Sequence, residues 1–184
     1  MKTLIFNGSA RKNGTTESMK NVILDSLSGE VKSIRAYDWS VSPCLDCRYC
    51  MKHRACAVKD DMQKIYHDID EADNIIFISP IYFHCLPAPL KTLVDRCQIY
   101  WSSHVRKDRL EKPVKKGAIV LNAGAPAFEH QFTAAELVLK GLFYDMQLEL
   151  LDIITMANAD RRVFTEETEL ITQLQKLSQR FILG

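Results

Sequence analysis

The residues best equipped for chemistry are four cysteines in one short run, Cys44-x2-Cys47-x2-Cys50-x5-Cys56. Thiolates spaced by two residues can all turn into one tight loop, which is what an iron–sulfur cluster requires. The spacing differs from the bacterial ferredoxin run, whose last gap is three and whose final cysteine precedes proline. A tetrahedral zinc site would use the same four thiolates, although structural zinc usually separates its two pairs more widely. An ordered loop of free thiols is the third outcome. Cys85 and Cys97 read as small core residues, His53 as an exposed loop residue, and His84 is left open. The opening segment is too short in its apolar part for a signal peptide. A disulfide framework is therefore not expected, and a cytoplasmic setting is.

A second chemically equipped segment is Gly8-Ser9-Ala10-Arg11-Lys12-Asn13-Gly14-Thr15-Thr16, between an apolar run and an amphipathic one. Its small residues let the backbone fold closely around an oxygen-rich group. Ser9, Thr15 and Thr16 supply hydroxyls, Arg11 a bidentate cation, and the following helix its free N–H groups and partial positive charge. That combination suits a phosphate monoester; a plain polar turn with a helix cap is the alternative. The segment is neither a Walker loop nor a Gly-x-Gly-x-x-Gly fingerprint, since residues 10 and 13 are Ala and Asn. Two further segments, Ser79-Pro80-Ile81-Tyr82-Phe83 and Asn122-Ala123-Gly124-Ala125-Pro126, could meet a flat ring with aromatic and backbone groups; plain core packing of the aromatic pair is the alternative. No side chain stands out as a general base or nucleophile, as expected where a cofactor carries the chemistry.

The elements that must position these segments follow from apolar period. Leu4-Ile5-Phe6, residues 31–36, Ile75-Ile76-Phe77-Ile78, Ala118-Ile119-Val120-Leu121 and residues 148–154 read as strands. Helices are predicted from Thr15 (Met19, Val22, Ile23, Leu27) to a stop at Ser28-Gly29, and from Asp60, where Gln63 completes a capping-box pattern, through Met62, Ile65, Tyr66 and Ile69. A third begins at Pro87-Ala88-Pro89 and carries Leu90, Leu93, Val94 and Cys97. A nearly all-apolar, buried helix is predicted over 131–146, and a last one over Leu170, Leu174, Leu177 and Phe181. Continuous apolar strands alternating with helices imply a mostly parallel sheet covered on both faces. Five strands suit a flavodoxin-like α/β sandwich of order 2-1-3-4-5, with ligands at the carboxyl ends beside the switch between strands one and three.

With 184 residues, one domain spanning 1–184 is expected, carrying a Cys-rich loop at about 40–60. The 24 Lys+Arg against 23 Asp+Glu leave a net charge of +1, which gives no field for a polyanion, so nucleic acid is not an expected partner. The densest basic stretch, 106–116, is interrupted by Asp108 and Glu111 and reads as a solvated loop. No apolar run approaches the roughly 18 residues of a membrane span.

The phosphate-type loop resembles the Gly-Ser-Pro-Arg-x-x-Gly-Asn/Phe-Thr/Ser loop of the NADPH-dependent FMN reductase family, with Ala10 for the usual proline and Thr15 for Asn or Phe. Ser-Pro-x-Tyr at 79–82 and Leu-Lys-x-x-x-Asp-Arg at 90–96 extend the resemblance. The cysteine run is similar to the motif of the iron-sulfur flavoprotein branch, with Asp46 where that branch often has Gly and Lys59-Asp60-Asp61-Met62 just beyond. The likeness covers residue 3 to about 123. It implies an oxidoreductase binding FMN, with NADPH, NADH or a protein as electron donor and a small molecule or protein as acceptor. A non-enzymatic FMN electron carrier and a metal-free FMN or quinone reductase are the alternatives. By the same resemblance Ser9, Arg11, Asn13, Gly14, Thr15 and Thr16 would hold the FMN phosphate. Pro80, Ile81, Tyr82 and Phe83 would line the ring together with Asn122, Ala123 and Gly124. Cys44, Cys47, Cys50 and Cys56 would ligate one [4Fe–4S] cluster, and Asp95-Arg96 would form a structural ion pair. A homodimer or homotetramer is also implied, with Phe83, Tyr100, Trp101 and Phe128 expected as an aromatic rim near the carboxyl edge.

Overall fold

The computed structural model describes residues 1–108 and 114–182. Residues 109–113, the middle of the basic stretch, lie outside the described residues. Five strands, β1 (Lys2–Asn7), β2 (Glu30–Arg35), β3 (Asn74–Pro80), β4 (Lys115–Asn122) and β5 (Leu148–Met156), form one sheet. All pairings are parallel and the order is β2-β1-β3-β4-β5. Among the described residues six α-helices accompany them: α1 (Thr15–Ser26), α2 (Met62–Glu71), α3 (Ala88–Arg96), α4 (Gln98–Arg106), α5 (Thr133–Met146) and α6 (Thr168–Ile182).

The period-two alternation of a strand divides the apolar residues between two cores. Leu4, Phe6, Ile75, Phe77, Ile119 and Leu121 face one side and are covered by α2, α3 and α5. Ile5, Ile76, Ile78, Ala118 and Val120 face the other, under α1 and α6. Both faces are thus buried, which is why the strands read as unbroken apolar runs. Phe6 and Phe77 stack across neighbouring strands at 4.8 Å between centroids. Helices α1 and α6 are tied by Ser178 Oγ, which donates to the Ile23 carbonyl at 3.2 Å. Among the described residues no helix is long and apolar enough to cross a membrane.

Four sequence expectations change. The helix predicted from Pro87-Ala88-Pro89 ends at Arg96 with Cys97 as its cap, and a further helix, α4, follows it that the sequence reading did not name. The capping box does not form: the helix is capped at Asp61, Asp60 Oδ1 accepts from the Met62 N–H at 3.1 Å, and the Gln63 amide donates to the Val58 carbonyl at 2.7 Å. Helix α5 is not buried all round, because Leu137 and Tyr144 are exposed on its outer face. Asp95 and Arg96 do not pair with each other. Being adjacent on a helix they point about 100° apart, so Asp95 meets Lys91 one turn back at 2.5 Å while Arg96 turns inward to Asp60.

Candidate functional site

The loops after β1, β3, β4 and β5 enclose a cleft of about 330 Å³ at the carboxyl edge of the sheet. It is lined by Ser9, Arg11, Gly14, Thr15 and Thr16 from the first loop, and by Pro80, Ile81 and Tyr82 from the third. Asn122 and Gly124 with Ala125, then Ala159 with Asp160, complete the wall. The loops lie this close because Gly8 carries no side chain. A Cβ there would sit 2.3 Å from the buried Ser79 Oγ, while the Gly8 N–H donates to the Ile78 carbonyl at 2.9 Å.

Within the first loop the side chains divide their work. The Asn7 Oδ1 accepts from the Ser9 N–H at 2.8 Å, and Ser9 Oγ accepts from the Arg11 N–H at 3.1 Å, so both fix the turn. Thr16 is buried and its hydroxyl donates to Asn122 Oδ1 at 2.6 Å, joining the start of α1 to β4. Asn122 in turn accepts the Ile81 N–H on its backbone carbonyl at 2.7 Å. The Arg11 guanidinium, the Thr15 hydroxyl and the first N–H groups of α1 are the donors here that could hold an anion. That helix begins at Gly14 with no side-chain cap, so its amino terminus keeps unsatisfied donors and a partial positive charge. A phosphate monoester fits this donor set.

Asn13 is exposed and does not line the cleft, and neither do Ala123 and Phe83. Ala123 is buried: its N–H donates to the Met156 carbonyl at 2.8 Å, and its carbonyl accepts from the Ala159 N–H at 2.9 Å. Phe83 is 98% exposed at the tip of a tight turn. Tyr82 and Cys85 exchange both backbone hydrogen bonds there, and Phe83 and His84 take φ of +47° and +66°. Two successive non-glycine residues in the left-handed region are strained, and such strain clusters at functional sites. Of the expected aromatic rim, Phe83, Trp101 and Phe128 are exposed, whereas Tyr100 packs inward against Tyr66.

Sequence reading did not single out Ala159 or Asp160. The loop after β5 reaches the cleft only because the β4 and β5 loops are laddered together, the Asn158 N–H donating to the Ala125 carbonyl at 2.7 Å. The carboxylate of Asp160 fills the space beside Gly124, where a Cβ would come within 2.2 Å of it.

The second feature is a cavity of about 320 Å³ lined by all four clustered cysteines, Cys44 and Cys47 exposed and Cys50 and Cys56 half-buried, and also by Arg96, Ile99 and Trp101. It shares no lining residue with the cleft. The loop bends through Asp46 (φ +45°) and Arg48 (φ +57°), so Asp46 adopts the conformation for which glycine is the usual choice. Among the described residues no three Cys, His, Asp or Glu side chains lie close enough to hold a single ion. A cluster carries its four cysteine sulfurs on separate irons, farther apart than one ion would. Four thiols lining one cavity are a donor set that could hold such a cluster.

The base of this loop is closed by a buried ion pair. Arg96, 1% exposed, donates from Nη1 to Asp60 Oδ2 at 2.7 Å and to the Ser42 carbonyl at 2.8 Å. Its Nη2 reaches Asp60 Oδ1 at 3.1 Å. Burial alone would raise the Asp60 carboxyl, but the bonds from Arg96 and the Ser42 and Met62 N–H groups outweigh it and hold the pKa below the ordinary value. Tyr66 donates to the Arg96 carbonyl at 2.7 Å, and burial raises its pKa. Cys97 is a neutral core thiol, pushed up to about 12 by burial, whereas Cys85 is only half-buried.

A five-stranded parallel sheet of this order, with helices on both faces and a cleft at the β1/β3 switch, is the flavodoxin-like fold. The NAD(P)H:quinone oxidoreductase from Methanothermobacter marburgensis shares it, at a TM-score of 0.76 and 14% identity over 97% of this chain and 94% of that one. Residues 1–138 match the family described as NADPH-dependent FMN reductase, and the chain belongs to that family. An iron-sulfur flavoprotein of Archaeoglobus fulgidus is 33% identical over 97 residues, 50% of this chain and 49% of that protein. Another, from Methanocaldococcus jannaschii, is 34% identical over 99 residues, 52% and 51% of the two chains. The chain thus spans about half the length of these curated relatives.

Proposed function

We propose that this chain is an FMN-dependent oxidoreductase that takes electrons from reduced nicotinamide or a protein donor and delivers them to a small-molecule or protein acceptor. The observation that carries this reading is the cleft at the β1/β3 switch, which joins an anion-binding loop to a ring-sized space between Pro80–Tyr82 and Asn122–Gly124. FMN bound there supplies hydride acceptance and single-electron release, and a [4Fe–4S] group in the thiol cavity supplies one-electron exchange.

The chain's own part is to bind and orient. Arg11, Thr15 and the amino terminus of α1 hold the phosphate end, and Ser9 keeps Arg11 in register through its backbone N–H. Thr16 and Asn122 fix the distance between the phosphate loop and the ring loops. Pro80, Ile81 and Tyr82 form one wall of the ring space, and Asn122 and Gly124 form another, with the Asp160 carboxylate packed beside Gly124. Cys44, Cys47, Cys50 and Cys56 are the ligands of the cluster, supported by their shared cavity and by likeness to the iron-sulfur flavoproteins. The test is anaerobic titration of FMN-loaded protein with NADPH and NADH. Bleaching of the flavin absorbance at a catalytic rate is expected. Reduction by dithionite with no response to either nicotinamide would overturn the nicotinamide donor and leave a protein donor or a non-enzymatic electron carrier.

A further inference from the structure

Helix α4 does more than cover the core. Ser102 and Arg106 stand four residues apart, one above the other on the same helix face, and both reach Cys50. The Arg106 guanidinium donates to the Cys50 carbonyl, and Ser102 Oγ donates to Cys50 Sγ at 3.2 Å. The same hydroxyl lies 3.5 Å from Met51 Sδ. Ser102 is 0% exposed, so no water competes for its proton. A hydroxyl has one proton to give, and an anionic sulfur takes it in preference to a neutral thioether. The helix can make this approach because the chain breaks at Cys97, so α4 is a separate element from α3.

We propose that Ser102 is a positioning residue for Cys50, orienting its sulfur and withdrawing charge from it, and that it thereby sets the reduction potential of the group held by the four cysteines. The inference rests on the cluster reading above. A hydrogen bond to a ligand sulfur stabilises the more negative, reduced state and raises the potential.

The experiment compares wild type, Ser102→Ala and Ser102→Thr after anaerobic reconstitution with iron and sulfide, reading iron per chain and the midpoint potential by spectroelectrochemistry. Ser102→Ala is expected to keep its iron and to shift negative by on the order of tenfold in the reduction equilibrium, ~59 mV for one electron. Ser102→Thr, which keeps the hydroxyl, is expected to stay near wild type. Loss of iron from the alanine variant alone supports the positioning role. An unchanged potential in Ser102→Ala at full iron overturns the inference and leaves the cluster reading standing. Equal loss of iron from both variants also overturns it, because the effect is then one of packing. Failure of wild type to take up iron overturns the cluster reading, and this inference falls with it.

Discussion

Replacing Asp60 by alanine removes the acceptor of four hydrogen bonds at once. These come from Arg96 Nη1 and Nη2 at 2.7 and 3.1 Å, the Ser42 N–H at 2.9 Å and the Met62 N–H at 3.1 Å. The larger cost is what stays behind, since Arg96 is 1% exposed and would keep its charge without a counter-ion. Breaking a buried pair from one side costs about 3–5 kcal/mol. Asp60→Ala should therefore lose that much stability at neutral pH in urea unfolding, with the m-value unchanged. The pH dependence has a fixed sign. A carboxyl held below its ordinary value favours the folded state while ionised. Its contribution is complete above the unfolded carboxyl's value of about 3.9 and is lost as pH falls through the folded one. The gap between wild type and Asp60→Ala should stay constant from neutral to mildly acidic pH and narrow below about pH 4. A difference under about 1 kcal/mol at neutral pH, the worth of a surface bridge, would refute the clamp.

Three further outcomes are expected. Arg11→Ala should weaken FMN binding by about 1.5–3 kcal/mol, read by fluorescence titration, because a charge-assisted phosphate contact is lost; unchanged affinity would remove the first loop from the phosphate site. Gly8→Ala should destabilise the fold by about 1–3 kcal/mol in thermal unfolding, since its Cβ would lie 2.3 Å from the buried Ser79 Oγ. Exposed Phe83, Trp101 and Phe128 should be covered in a homodimer or homotetramer, and sedimentation at micromolar concentration with FMN bound should return an oligomer; a monomer would contradict this.

Much of the architecture was legible because the signals were local. Ile75–Ile78 has apolar residues on both faces, and only a strand covered on both sides needs that. The face of α6 was equally plain, with Leu170, Leu174, Leu177 and Phe181 at helical spacing and all buried. What escaped depends on distant partners. Nothing near Arg96 in sequence says that it turns inward to Asp60, or that Gln63 prefers the Val58 carbonyl to its capping position. The junction at Cys97 carries no glycine or proline, so nothing in the sequence marks α4 as a separate helix after α3. Asp160 joins the cleft only because the sheet order sets the β5 loop beside the β4 loop. For the site, the resemblance and the spacing nominated the loops. The division between residues that face the cleft and those, such as Asn13 and Ala123, that do not required three dimensions.

The central claim, an FMN cleft and a separate thiol cavity that holds a cluster, is tested most directly by anaerobic purification followed by flavin, iron and sulfide analysis with a visible spectrum. The account predicts one FMN and one [4Fe–4S] cluster per chain, with Cys50→Ala losing the iron and keeping the flavin, because the two cavities share no residue. A colourless protein that takes up neither FMN nor iron on reconstitution would contradict it.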